Sequence, residues 1–207
     1  FLWRKRDDWQ QSTVGQVVGD PKPRYVLFVA YGPEERRVLA GVQNQLDVFT
    51  DITPESWEVL RARNPNAQTF DPEFPYAWMD DPCERGMTFN LQREPYNLKE
   101  VRWALTLATN IEEVSMATFS GMLRMSPLHI PPINVFRDIY FGELEPWLRD
   151  FALSDGYKPF DPEAAVRMSA LLASQGREVP EGAAEAKELF GIGWWKYDTA
   201  QAAKLLE

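Results

Sequence analysis

Reactive side chains are scarce in this chain of 207 residues. Cys83 is the single cysteine, which excludes an internal disulfide and any multi-cysteine zinc site. His129 is the single histidine, set in the proline-rich apolar stretch Ser126-Pro127-Leu128-His129-Ile130-Pro131-Pro132, where an imidazole ordinarily packs or hydrogen-bonds. A hydrolase triad would need that imidazole as its base, and no Gly-x-Ser-x-Gly elbow accompanies it. Phosphate-binding glycine loops are missing too. Gly191-Ile192-Gly193 lacks the third glycine and the preceding strand of a dinucleotide site and reads as a turn. Positive charge is in deficit, with 22 basic against 31 acidic residues and a net charge of −9. Such a surface repels phosphate backbones and disfavours nucleic acid as a partner; it also disfavours a basic helix lying on a membrane. No apolar run approaches the roughly 20 residues that span a bilayer. The chain does not begin with Met, and Phe1-Leu2-Trp3-Arg4-Lys5-Arg6 reverses the basic-then-apolar order of a signal peptide. A processed chain or a piece of a longer one is expected.

What the chain does have is apolar and aromatic bulk. Hydrophobic residues make up 44% and charged residues 26%, a balance that supports a packed core. Aromatics reach 13%, with 8 Trp, and such side chains serve cores and ligand surfaces alike. Paired carboxylates are the one remaining catalytic device, since two at the right separation hydrolyse glycosides. The candidates are Asp7-Asp8, Asp80-Asp81 and Glu112-Glu113. Neighbours in sequence point in different directions, so none is a ready acid–base pair. Cys83, between Pro82 and Glu84-Arg85, lacks a clearly positive setting and reads as structural. We therefore expect no enzyme, no metal and no cofactor.

Local patterns place the elements. Residues 24–30 read as a buried strand, Gly32-Pro33-Glu34-Glu35 opens a helix, and Leu46-Asp47-Val48-Phe49 reads as a second strand. Thr53 caps a helix that runs to about Arg63. Residues 66–86, rich in Pro, Asp and aromatics, read as an extended connection, followed by a strand at 86–91. Asn97 with Glu100 has capping-box spacing, and Val101, Ala104, Leu105 and Ala108 form an apolar stripe behind it. Asn110 with Glu113 starts a helix that ends near Gly121. Residues 126–160 read as irregular with short helices, one at Trp147 and Leu148. Asp161-Pro162-Glu163 starts a helix that Gly176 ends; a polar stretch follows it, and Asp198 with Gln201 starts the last helix.

Three stretches add family-specific detail. The first is Phe89-Asn90, then Pro95-Tyr96-Asn97, then Glu100-Val101-Arg102-Trp103-Ala104-Leu105 with Ala108. The second is Tyr197-Asp198-Thr199-Ala200-Gln201-Ala202-Ala203-Lys204-Leu205-Leu206-Glu207, with Thr199 where the pattern usually has proline. The third is Gly41-Val42-Gln43-Asn44-Gln45-Leu46-Asp47-Val48, a Gly-x-x-Asp element. In order and rough spacing they resemble extracellular solute-binding protein family 5, the peptide, nickel and oligosaccharide receptors of ABC importers. Arg6-Asp7-Asp8-Trp9 is similar to a further signature of that family but lacks its Asn-Pro.

The resemblance implies an α/β chain, part of a two-lobe periplasmic-binding-protein-like fold of type II, with a mixed sheet and flanking helices. Residues 1–85 would be the tail of the first lobe plus the hinge crossing, and 86–207 the start of the second lobe. The chain would be a monomeric receptor, periplasmic or extracellular, lipid-anchored through a missing N-terminus. It would capture an oligopeptide or oligosaccharide by lobe closure and hand it to the membrane permease subunits. Tyr76, Trp78 and Asn90, near the expected crossing, are the candidate ligand contacts. Asp155-Gly156-Tyr157-Lys158-Pro159-Phe160-Asp161 and Gly193-Trp194-Trp195-Lys196-Tyr197 resemble a subgroup that includes oligosaccharide receptors. For Trp194-Trp195 themselves, packing the final helix is the favoured use over stacking on a sugar. A glycoside hydrolase and a non-catalytic interaction domain are the alternative functions.

Overall fold

Capping side chains start several helices where the sequence places them. The computed structural model describes residues 1–49, 52–69, 74, 86–129, 136 and 138–207, in two compact units, 1–67 and 68–207. In the first unit β1 (Leu2–Arg4) pairs antiparallel with β2 (Tyr25–Leu27), with Leu2 opposite Leu27 and Arg4 opposite Tyr25. Ser12 accepts from the Gly15 amide to cap α1 (Thr13–Val17). Thr53 accepts from the Ser56 amide and starts α3 (Pro54–Arg63), with Pro54 in the first turn, where its missing N–H costs nothing. That helix packs on α2 (Glu34–Val42) and buries Val38, Ala40, Trp57 and Leu60. Asn64 ends α3 and is itself buried. Its Nδ2 donates to the Gly41 carbonyl at 2.7 Å and to Asn44 Oδ1 at 2.9 Å, while its Oδ1 accepts from the Asn66 amide. A buried amide is tolerated because its groups find partners.

Two expectations fail in this unit. The strand predicted over 24–30 forms over Tyr25–Leu27 but is exposed, with Val26 at 45%. Residues 46–49 are not a strand. The chain leaves α2 through Asn44, whose φ of 55° is left-handed, and Phe49 then lays its ring on the bare Cα face of Gly41. The glycine serves this close approach, and the packing of Phe49 takes the place of strand pairing.

The second unit holds α4 (Lys99–Leu107), α5 (Ile111–Phe119), a π-helical turn (Ile139–Leu144) that runs into α6 (Glu145–Asp150), β3 (Phe160–Asp161), α7 (Ala164–Ser174), α8 (Ala183–Phe190), β4 (Trp194–Trp195) and α9 (Thr199–Lys204). Asn110 Oδ1 accepts from the amides of Glu112 and Glu113, and Asp198 Oδ1 from that of Gln201, as predicted. Gly176, at φ 81°, follows the end of α7. The stretch read as polar after Gly176 contains α8, whose Ala186 and Phe190 are buried.

Among the described residues, three apolar clusters hold the unit together. Met125, Ala164, Ala165, Met168, Leu172 and Phe190 form one, between α7 and α8. Tyr140, Leu148, Phe160 and Ile192 form the second. The third joins α4 to α9 through Ala104, Leu107 and Ala202. That last contact rotates the stripe expected on α4: Leu107 faces inward, while Leu105 and Ala108 are exposed. β3 and β4 pair antiparallel, Phe160 opposite Trp195, and the Lys196 amide extends the ladder to the Pro159 carbonyl at 2.8 Å. The described residues thus mix helix and strand, as an α/β chain does, and their strands form two antiparallel pairs in place of one mixed sheet. No helix among them is long and apolar enough to cross a membrane.

Candidate functional site

Of the three predicted contacts, Tyr76 and Trp78 lie outside the described residues, and Asn90 is exposed at the rim of an open groove of about 650 Å³. The strand predicted over 86–91 is absent; Asn90 opens a turn instead. Its Oδ1 accepts from the Gln92 amide at 3.0 Å and its carbonyl from the Arg93 amide at 3.1 Å, the local bonding by which asparagine favours turns over strands. Phe89 and Tyr96 stack at 5.4 Å and form one wall, and Arg93 and Glu94 place opposite charges beside it.

The turn is fastened to α4 by Arg102, whose Nη1 donates to the carbonyls of Tyr96 at 2.6 Å and Asn97 at 3.0 Å. Asn97 is not the cap of α4. Successive turns, Asn97 amide to Arg93 carbonyl and Leu98 amide to Pro95 carbonyl, carry the chain one residue further, and Leu98 takes the cap position. The sequence analysis named Asn90 and not its neighbours Arg93 and Glu94, which the turn brings beside it.

A second cavity, of about 340 Å³, is walled by the start of α5, the loop before β3, α7, and the segment from β4 into α9. Arg167 on α7 bridges two carboxylates: its Nη2 lies 2.6 Å from both Glu112 Oε1 and Asp161 Oδ2. Those hydrogen bonds, Asp161 first, raise its pKa against the opposing effect of burial. Across the cavity the Tyr157 hydroxyl donates to Asp198 Oδ2 at 2.9 Å. Burial, then that carboxylate, pushes the phenol up to about 12, while the Gln201 amide and the Tyr157 hydroxyl hold Asp198 below the usual range. Lys196 Nζ lies 5.3 Å above the Tyr157 ring and donates to the Lys158 carbonyl. Trp195 meets Trp103 and Phe160 edge-on, at 84° and 77°. The Trp194-Trp195 pair therefore packs, and Trp195 also lines the cavity.

The other candidates of the sequence have local roles or fall outside view. Asp7 and Asp8 pair with Arg4 and Arg6 on the surface. Asp80, Asp81 and Cys83 lie outside the described residues. His129 is exposed, close to Gly86. Among the described residues no group of three or more His, Cys, Asp or Glu is placed to hold a metal. The partnership of Glu112 with Asp161 through Arg167 was hidden in the sequence, because the two acids stand far apart along the chain. No family model, no curated protein and no solved structure matches this chain.

Proposed function

We propose that the chain is part of the solute-binding receptor of an ABC importer, of the type II two-lobe fold, capturing an oligopeptide or oligosaccharide outside the cytoplasmic membrane for delivery to the permease subunits. One observation carries this reading. The two stretches most similar to the receptor family, 89–108 and 197–207, pack on each other. Leu107 and Ala104 of α4 meet Ala202 of α9, and the Asp198 amide donates to the Leu107 carbonyl at 2.8 Å. The groove at Asn90 adds what a solute site needs: an aromatic wall, charges of both signs and a side-chain amide, on a turn fastened to a helix. Capture would proceed by closure of one lobe on the other, a shift of population that the ligand's contacts drive.

The test is calorimetry on the full-length protein with a set of cello- and manno-oligosaccharides and a pool of short peptides. Saturable binding of one class without turnover is expected, weakened about tenfold by Asn90→Ala, the cost of about 1.4 kcal/mol set by one lost hydrogen bond. Turnover of a glycoside would replace the receptor by a hydrolase. Binding unaffected by Asn90→Ala would remove this groove from the site.

A further inference from the structure

The sequence contains one Asp-Gly pair, Asp155-Gly156, and no Asn-Gly. Glycine after aspartate has no Cβ to shield its backbone nitrogen, so the side-chain carboxyl can close on that nitrogen as a five-membered succinimide. Here the pair lies in the loop between α6 and β3, and both residues are exposed. Gly156 has a φ of 83° with open space where a Cβ would stand, and its amide donates to the Leu153 carbonyl at 2.9 Å.

The carboxyl of Asp155 is held by its own turn and by α9. Oδ1 accepts from the Tyr157 amide at 3.0 Å. Oδ2 accepts from Gln201 Nε2 at 2.7 Å, with Lys204 Nζ 3.7 Å away. These contacts, the Tyr157 amide first, keep the carboxyl below the usual carboxylate range and so keep it ionised.

Ring closure needs the opposite state. The Gly156 nitrogen, having lost its proton, attacks Cγ of the neutral Asp155 acid. A C–N bond forms, a C–O bond breaks, and the hydroxyl leaves with the proton as water. Water then reopens the ring. Attack at the side-chain carbonyl restores aspartate; attack at the main-chain carbonyl gives isoaspartate, whose backbone runs through the β-carbon with one extra methylene. Closure removes one of the two carboxyl oxygens, so the Tyr157 and Gln201 bonds cannot both survive it. The bond to Leu153 is lost with the amide proton.

We propose that Asp155-Gly156 is a site of isoaspartate formation gated by α9: it stays shut while Gln201 holds the Asp155 carboxylate and rearranges when that contact opens. The product lengthens the Leu153–Tyr157 turn and carries the carboxylate away from Gln201 and Lys204, which unfastens α9 from this loop. None of this depends on the receptor reading.

The test incubates the full-length protein at neutral pH, folded and in urea, and follows residue 155 by peptide mapping that separates isoaspartyl from aspartyl peptides. The variant is Gln201→Leu, which removes the donor at similar size, with the melting temperature as the check on folding. The folded parent should form isoaspartate about tenfold or more slowly than the parent in urea, because reaction follows the population of the open form. Gln201→Leu should speed the folded protein about fivefold, the change in open population that one lost hydrogen bond allows, and leave the rate in urea unchanged. Three results would overturn the proposal: no isoaspartate at 155 even in urea, equal rates in folded and unfolded parent, or folded Gln201→Leu no faster than the folded parent.

Discussion

Two short antiparallel ribbons of similar composition have opposite fates in this molecule. Leu2–Arg4 with Tyr25–Leu27 is apolar and aromatic, and every one of its residues is exposed. Phe160–Asp161 with Trp194–Trp195 is no more hydrophobic, yet Phe160 is 4% exposed and sits in a cluster with Tyr140, Leu148 and Ile192. An isolated two-stranded ribbon has little stability of its own, so its neighbours decide whether its side chains count. The second ribbon is flanked by α6 and α7 and by the turn through Gly191 and Gly193, which brings Ile192 and Trp195 onto Phe160. The first has Lys5 reaching Asp20 and the Pro21 carbonyl beside it, contacts at a largely exposed surface.

The comparison can be broken most directly by truncating one apolar side chain in each ribbon. Phe160→Ala removes a buried ring and is expected to cost about 3–5 kcal/mol. Val26→Ala in the exposed ribbon should change stability by no more than about 0.5 kcal/mol. Urea denaturation measures both, and equal losses would show that the first ribbon is buried in solution.

A smaller effect sharpens the account of what surrounds the buried ribbon. Glu145 at the start of α6 receives Lys187 of α8 at 2.7 Å and Arg149 at 2.6 Å. Burial alone would raise the pKa of this carboxyl, but the hydrogen bonds and charges of Lys187 and Arg149 outweigh it, and the net direction is down. A carboxyl depressed in the folded state stabilises above its unfolded pKa of about 4.5, and the contribution disappears as pH falls through the folded value. Glu145→Gln should therefore cost about 1–2 kcal/mol at neutral pH, and the gap to the parent should close toward pH 3. A gap independent of pH, followed by thermal unfolding, would assign the loss to packing.

A smaller loss than at Glu145 is expected at the loop leading into β3. The phenol of Tyr157 is raised to about 12, so the folded state holds its proton more tightly than the unfolded chain, whose value is near 10. Its contribution is complete below pH 10 and is lost between about 10 and 12. Tyr157→Phe should cost about 1 kcal/mol at neutral pH. Stability of this variant should fall less steeply than the parent's above pH 10, as read from urea midpoints; identical slopes would mean the Asp198 bond is absent in solution.

Legibility in the sequence followed the range of the interaction. Thr53, Asn110 and Asp198 accept from amides within a few residues, and Gly176 takes the left-handed turn just after α7, so their types and spacing sufficed. Asn97 looked like a cap by the same rule and failed, because Arg102 and the turns from Arg93 to Leu98 shifted the start of α4. Leu46–Phe49 and 86–91 had strand-like residues but pair with no strand among the described residues, and pairing is a tertiary event. The helix Ala183–Phe190 was hidden because only Ala186 and Phe190 carry its buried face. Of the site, Asn90 was read from family resemblance, while Arg93 with Glu94, and Glu112 with Arg167 and Asp161, were not.

The sequence by itself determined the caps at Thr53, Asn110 and Asp198, most helix positions, the acidic surface, and the two stretches that resemble one receptor family. Tertiary structure alone decided which ribbon is buried, which face of α4 turns inward, and that acids distant along the chain meet on one guanidinium. The reason is that capping is a bond between near neighbours, whereas burial and charge pairing depend on what the rest of the chain brings into contact.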